Sequence, residues 1–329
     1  MKRKALGLFS GGLDSTLAIK VILKQGIEVV ALNFKSPFCR CDTSNGCDSL
    51  IKRIAEDLKV DFKVMYLGDE YLEMIKEPKH GYGKNLNPCI DCRILKFKKA
   101  KDFMKKTGAS FLITGEVLGQ RPMSQYRQAL ETIDKESGVE DLVLRPLSAK
   151  LFSPTLAERK GWVDREKLFD ISGRGRRPQI ALANELGVYE YSCPAGGCLL
   201  TDPTFSKRIR NMMDCNNLTT KNIEVLKLGR YFRFNSYFWM VVARDEKESN
   251  KLRSLAGEED FIFEPIDMPG PTALAKGRLD EESKGRCCRI IAWYTSKDEK
   301  TRVKIKYQDK EEIIDIEPIE EKVLNTLRI

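Results

Sequence analysis

Histidine is almost missing from this sequence: 329 residues contain one, His80. That excludes multi-histidine zinc chemistry and any mechanism that needs two imidazoles. His80 itself falls in the Pro/Gly-rich stretch Pro78-Lys79-His80-Gly81-Tyr82-Gly83, where a loop residue is expected rather than a catalytic base. Long apolar runs are also missing, and none approaches the ~20 residues that cross a bilayer, so no membrane partner is expected. The basic start Met1-Lys2-Arg3-Lys4 leads into only a short apolar stretch before Ser10-Gly11-Gly12. With no long h-region and no small-residue cleavage site, a secretory leader is not expected, and the protein is read as cytoplasmic. A G-x-x-x-x-G-K-S/T loop is absent, which excludes the usual γ-phosphate machinery. No internal repeat or low-complexity tract appears, and no feature speaks to oligomeric state.

Cysteine is plentiful, with ten residues. In a cytoplasmic protein that number argues for metal, cluster or thiol chemistry rather than a disulfide framework. Lys and Arg total 57 against 48 Asp and Glu, a formal charge of +9, which suits a polyanionic partner or else an ordinary solvated surface.

The chain is long enough for two domains. Its first part alternates apolar runs with amphipathic stretches. Strands are expected at Lys4–Phe9, Ile27–Phe34, Phe62–Leu67 and Phe111–Thr114, and helices at Asp14–Lys24, Cys47–Leu58 and Cys89–Lys106. That order predicts an α/β fold with a parallel, doubly wound sheet, in which ligands bind beyond the carboxyl ends of the strands. The pattern changes near Thr201-Asp202-Pro203, so domains are expected at residues 1–203 and 204–329. The second is read as smaller and α+β, with helices at Phe205–Met213 and Thr220–Leu228. Its strands are expected at Tyr231–Phe234, Tyr237–Ala243, Phe261–Glu264, Arg289–Tyr294, Val303–Tyr307 and Ile313–Ile316.

Ser10-Gly11-Gly12-Leu13-Asp14-Ser15 follows the first strand and opens the first helix. Two glycines let the backbone approach an anion, and the helix N-terminus offers unpaired N–H groups and partial positive charge to phosphate. Ser10 and Ser15 add hydroxyls, and Asp14 is suited to hold Mg2+. The hexapeptide resembles the PP-loop of the N-type ATP pyrophosphatases, a family with an adenine nucleotide α-hydrolase-like sheet. The resemblance implies cleavage of ATP to AMP and pyrophosphate with adenylation of a carbonyl or carboxyl oxygen.

Further segments narrow the reading. Thr114-Gly115-Glu116-Val117-Leu118-Gly119-Gln120, Ser124-Gln125 and Leu144-Arg145-Pro146-Leu147 resemble segments of tRNA 4-thiouridine synthases. Cys193-Pro194-Ala195-Gly196-Gly197-Cys198 sits where that family carries a working cysteine. Asn87-Pro88-Cys89-Ile90-Asp91-Cys92-Arg93, with Lys96-Phe97, resembles the tRNA 2-thiouridine synthases. These resemblances cover about the first 200 residues. The 4-thiouridine synthases also carry a ferredoxin-like and THUMP region and, in some members, a rhodanese domain. This sequence begins directly at the loop and has an insertion at Phe152–Arg177.

The implied activity is ATP-dependent tRNA uridine thiolation. Adenylation turns a uracil oxygen into a good leaving group, and a sulfur nucleophile replaces it; sulfide or a cysteine desulfurase persulfide would supply the sulfur. Gly115 and Arg145 join Ser10–Ser15 as expected nucleotide contacts, although Arg145 also suits a surface ion pair. A small-molecule amide or nitrile synthase of the same loop family and a non-catalytic RNA-binding protein are the alternatives.

Cys89 and Cys92 form a C-x-x-C at an expected helix start, where a lowered thiol pKa is anticipated. Metal or iron–sulfur ligation, a catalytic disulfide or persulfide, and inert thiols all fit this pattern. Related thiolases hold a 4Fe–4S cluster by a C-x-x-C and one distant cysteine, so the resemblance implies Cys89, Cys92 and Cys198 as ligands, with Cys193 competing for the third place. Cys39, Cys41 and Cys47 suit a zinc site without an evident fourth ligand, a thiol relay, or ordinary loop cysteines. Cys215, Cys287 and Cys288 are read as structural, with Cys287 and Cys288 pointing to opposite sides of a strand.

Trp239-Met240-Val241-Val242-Ala243-Arg244-Asp245, Asp260–Pro265 and Pro269-Gly270-Pro271 resemble parts of the NFACT-type RNA-binding domain. That implies contact with tRNA by Arg230, Arg233, Arg244, Lys247, Lys251 and Arg253. Tyr231, Phe232, Tyr237 and Trp239 are available to stack on bases or to fill the core. Ser172-Gly173-Arg174-Gly175-Arg176-Arg177 is a second basic spot.

Overall fold

The computed structural model describes residues 3–39, 47–192 and 197–329. Cys41 and Cys193 lie outside the described residues, as does the side chain of Cys47. The chain divides into two compact units, Met1–Thr201 and Asp202–Ile329.

The first unit runs β1 (Lys4–Leu8), α1 (Leu13–Leu23), β2 (Glu28–Lys35), α2 (Cys47–Asp57), β3 (Asp61–Tyr66), α3 (Asp69–Lys76), α4 (Cys89–Thr107), β4 (Phe111–Thr114), α5 (Arg127–Ser137), β5 (Val143–Leu144), α6 (Leu156–Arg159) and α7 (Arg177–Leu186). Its five strands are parallel in the order β3-β2-β1-β4-β5. The near-continuous apolar runs arise because both sheet faces are covered. Ala5, Val29, Ala31, Phe111 and Ile113 pack with Leu17, Val21, Ile51, Ile54, Leu182 and Leu186 of α1, α2 and α7. Leu6, Val30, Leu32 and Leu112 face the other way, onto Ile94, Phe97, Ala100 and Met104 of α4 and Ile133 of α5. Each fully buried Leu, Ile or Phe contributes roughly 1.5–3 kcal/mol. The order reverses between β1 and β4, so the loops leaving their carboxyl ends flank the topological switch point.

The second unit runs α8 (Pro203–Asp214), α9 (Thr220–Leu226), β6 (Arg230–Arg233), β7 (Phe238–Val242), α10 (Glu246–Leu255), β8 (Phe261–Pro265), β9 (Ala273–Gly277), α11 (Glu281–Thr295), β10 (Thr301–Tyr307), β11 (Lys310–Ile316) and α12 (Glu321–Leu327). Its sheet is antiparallel, in the order β11-β10-β8-β9-β7-β6.

One expected strand is wrong. Arg289–Tyr294 belongs to the 15-residue helix α11, which Asp280 caps by accepting from Ser283 N. The apolar run Ile290-Ile291-Ala292 is the buried stripe of that helix, and an apolar run this short reads the same in either state. Cys287 and Cys288 are therefore fully buried helix residues rather than alternating strand residues. Strand β9 has no counterpart among the expected strands. Among the described residues, no helix is long and apolar enough to cross a membrane.

Candidate nucleotide and thiol site

The loop Ser10–Ser15 leaves β1 at the switch point and enters α1 with Gly12 as N-cap. Gly11 has φ +70°, the left-handed region that favours glycine. No side chain caps α1, so the loop's own hydroxyls organise it. Ser15 Oγ donates to Gly12 O (2.9 Å), lies 3.1 Å from Ser10 Oγ and accepts from Ser10 N (3.3 Å). Thr16 Oγ1 also donates to Gly12 O (3.0 Å). A helix start without a capping side chain is well suited to an anion.

Asp14 lies in the first turn. Its Oδ2 accepts from Gln120 Nε2 (3.0 Å), whereas its Oδ1 is buried without a hydrogen-bond partner. An orphaned, buried carboxylate oxygen beside a phosphate cradle fits Mg2+.

The loop after β4 closes over this turn. A Cβ on Gly115 would stand 2.4 Å from Asp14 C and Ser15 N, both backbone atoms, so close approach is what requires glycine there. Next to it, Glu116 is 1 % exposed and is held by Arg93 (3.0 Å) and Arg145 (3.1 Å). Arg145, expected to face phosphate or to pair at the surface, does neither. It is buried, and it donates twice to Asp134 (2.8 and 2.7 Å) as well as to Glu116. Burial works against its charge, but the Glu116 and Asp134 carboxylates outweigh that and raise its pKa.

The positive charge near the loop comes from residues with weaker sequence signals. Arg121 is pulled below its ordinary range by displaced water and by the neighbouring cations Arg93 and Arg176, while Cys89 and Asp14 pull the other way. Backbone pairing explains this gathering. Leu118 bridges Ser172, and Gly173 N donates to Leu118 O (2.7 Å), which brings the 172–176 turn against the 118–121 loop. The only sequence sign of Arg121 is its position between Gln120 and Ser124-Gln125. His80 lies elsewhere, beside Glu136 (3.2 Å).

The cysteine segments are stitched to this site by backbone. Ser192 bridges Gly12, and Ser192 N donates to Gly11 O (2.7 Å), so Ser192 pairs with the glycine loop itself. Leu86 N donates to Leu200 O (3.2 Å) and Asn85 Nδ2 to Thr201 O (2.8 Å), joining residues 200–201 to the approach to α4. Cys39 bridges Cys198. Tyr71 of α3 donates to Cys92 Sγ (3.4 Å), and burial followed by the thiols of Cys92 and Cys198 pushes its phenol well above the ordinary range.

The C-x-x-C does start α4, but Cys89 is not lowered as expected. Burial and then Cys92 raise it, against Arg93 and Arg121. Cys198 is pushed up to about 12, mainly by burial, with Cys92 and Cys39 adding to it. Half-buried thiols have the donor chemistry a soft metal centre takes, so Cys89, Cys92 and Cys198 fit as cluster ligands in chemistry. Among the described residues, no group of three Cys, His, Asp or Glu side chains is arranged to hold a metal ion. The zinc option fares less well: Cys39 turns to Ser36 and Cys198, and its partners Cys41 and Cys47 lie outside the described side chains.

In the second unit, three of the four candidate stacking aromatics are core residues. Tyr231 and Phe232 are fully buried and Trp239 is 2 % exposed, whereas Tyr237 is 76 % exposed. Tyr231 and Phe232 point to opposite faces of β6 and both faces are covered, by Asn211 of α8 and by Tyr294 of α11. Arg230 donates to Ala243 O, Arg233 to Asn211, Arg244 to Glu248 and Arg253 to Glu264. Lys247 and Lys251 are exposed one turn apart on α10.

Residues 1–150 match the family model described as thiamine biosynthesis protein (ThiI), and residues 229–328 match the model described as NFACT protein RNA binding domain. The chain is thus similar to ThiI over its first part and to the NFACT RNA-binding domain over its last. It is 30 % identical over 173 residues to a probable tRNA sulfurtransferase of Methanobrevibacter smithii, covering 51 % of this chain and 43 % of that protein. It is also 30 % identical over 110 residues to a tRNA-specific 2-thiouridylase MnmA 1 of Fusobacterium nucleatum, covering 32 % and 28 %. The chain thus spans less than half the length of these curated relatives. A solved structure described as a 4-thiouridine synthetase–RNA complex with bound ATP aligns with a TM-score of 0.39 at 20 % identity, over 68 % of this chain and 52 % of that one.

Proposed function

We propose that this protein uses ATP to adenylate a uracil carbonyl oxygen in tRNA and replaces that oxygen with sulfur, releasing AMP and pyrophosphate. The observation that carries the reading is the pairing of Ser192, which precedes the cysteine-bearing segment in sequence, with the Gly11-Gly12 backbone. A PP-loop enzyme that only joins ammonia or an amine to a carbonyl has no use for thiols there. The ThiI-type and NFACT-type domain matches support the same reading.

The residues divide the work. The loop N–H groups and the Ser10 and Ser15 hydroxyls take the phosphates, and Asp14 would hold Mg2+, which would offset phosphate charge. Arg121 and Arg176 offset the charge of the departing pyrophosphate. Arg145 holds Glu116, which in turn holds Arg93 at the rim. Cys89, Cys92 and Cys198 would hold a 4Fe–4S cluster, which would supply sulfur-binding chemistry to the thiolation. Sulfide or a desulfurase persulfide is the sulfur source. Lys247 and Lys251 take tRNA phosphates.

The test is pyrophosphate release from ATP with and without tRNA. Release that requires tRNA is expected. Release driven by a small carboxylic acid or amide in the absence of tRNA would establish the ligase alternative, and no release under any condition would leave an RNA-binding protein.

A further inference from the structure

Cys39 has no part in the scheme above, yet the fold sets it opposite Cys198. The two residues are opposite one another in an isolated antiparallel bridge. Leu199 N donates to Phe38 O (2.9 Å) beside the pair, while Cys39's own N–H goes to Ser36 O (3.1 Å). The pair is therefore of the non-hydrogen-bonded kind, with α-carbons about 4.5 Å apart and side chains on the same face. A disulfide needs α-carbons within roughly 4.4–6.8 Å, and a non-hydrogen-bonded antiparallel pair falls at the near end of that range. Both residues are half-buried, so a small oxidant can reach them.

We propose that Cys39 and Cys198 form a reversible disulfide that clips the segment after β2 to the 197–201 turn. A low-molecular-weight disulfide is the oxidant. Ser36 donates its N–H to Cys39 Sγ (3.4 Å), and the oxidant reacts at Cys39. The oxidant's S–S bond breaks, one thiolate leaves, and a mixed disulfide forms on Cys39. Cys198 Sγ, having released its proton to solvent, then attacks the Cys39 sulfur and expels the second thiolate. Two protein thiols lose two electrons, and the small disulfide becomes two thiols. A dithiol reverses both steps. Oxidation takes Cys198 out of service as a ligand or sulfur carrier, so the clip and any metal centre on Cys198 exclude one another.

The test uses the full chain purified in air, incubated with oxidised glutathione, quenched with N-ethylmaleimide, digested without reduction and mapped by mass spectrometry. The expected product is a cross-linked peptide pair joining Cys39 to Cys198, which disappears on treatment with dithiothreitol. In Cys39→Ser, the pair should be absent and Cys198 should carry glutathione or N-ethylmaleimide. A Cys92–Cys198 or Cys89–Cys92 link in the unmodified sequence, with Cys39 alkylated, would overturn the proposal, and so would full alkylation of Cys39 and Cys198. The readout is independent of tRNA and ATP, so its failure leaves the thiolation reading untouched.

Discussion

Replacing Arg145 by methionine tests whether this arginine is a tie within the first unit or a phosphate ligand. The substitution keeps length and removes three bonds, two to Asp134 (2.8 and 2.7 Å) and one to Glu116 (3.1 Å). Glu116 retains Arg93, whereas Asp134 loses its buried cation. Removing one partner of a buried ion pair costs about 3–5 kcal/mol. At about 2–4 °C per kcal/mol for a unit of this size, the first transition should fall by roughly 6–20 °C. The pH dependence carries a sign. The Asp134 carboxyl already sits above its ordinary 3.8, because burial raises it more than Arg145 lowers it. A carboxyl whose folded pKa exceeds its unfolded one destabilises when ionised, and the folded state regains stability as pH falls through the folded pKa toward the unfolded one. Without Arg145 the folded value rises further, so the variant's deficit should be largest at neutral pH and should narrow in acid down to that 3.8. Differential scanning calorimetry between pH 4 and 8, with ATP binding measured well below the transition, checks both parts. An unchanged Tm with abolished ATP binding would refute the tie and restore Arg145 as a phosphate ligand. A deficit that widens in acid would refute the electrostatic reasoning.

Three further outcomes follow from the same geometry. Asp14→Asn retains the shape and a partner for Gln120 but removes the charge, so pyrophosphate release should fall by about a hundredfold or more with Tm nearly unchanged, as assayed by coupled pyrophosphate detection. Gly115→Ala places a methyl 2.4 Å from the Asp14 backbone and should lower stability by about 1–3 kcal/mol while weakening ATP binding, seen by urea titration and calorimetry. Lys247→Ala with Lys251→Ala should lower tRNA affinity and flatten its log–log salt dependence by about two, roughly one for each lysine that no longer neutralises a phosphate, as measured by filter binding across a salt series.

How far the sequence could be read depended on whether a feature was local. The Ser10–Ser15 loop could be recognised because strand, glycine pair and helix start lie within twelve residues and the chemistry of each is carried by its own backbone. The parallel sheet could be read because strands covered on both faces lack polar alternation, as Val29–Leu32 do. The misread segment Arg289–Tyr294 had no local arbiter; its helix is set by the cap at Asp280, nine residues upstream. The aromatics of β6 and β7 could not be assigned to core or surface from their own strands, because α8 and α11 decide that. Arg145 looked like a phosphate ligand from its place at a strand end, and only the fold brings Asp134 and Glu116 to it. The pairing of Cys39 with Cys198 joins residues far apart in sequence, and no spacing rule reaches that distance.

The most direct test of the central claim is nucleoside mass spectrometry of tRNA incubated with the purified protein, ATP, Mg2+ and sulfide. The expected result is a uridine gaining 16 mass units, oxygen replaced by sulfur, with one AMP formed for each thiolated base and no product in the Asp14→Asn variant. AMP and pyrophosphate formed in step with a tRNA whose nucleosides all keep their mass would contradict it.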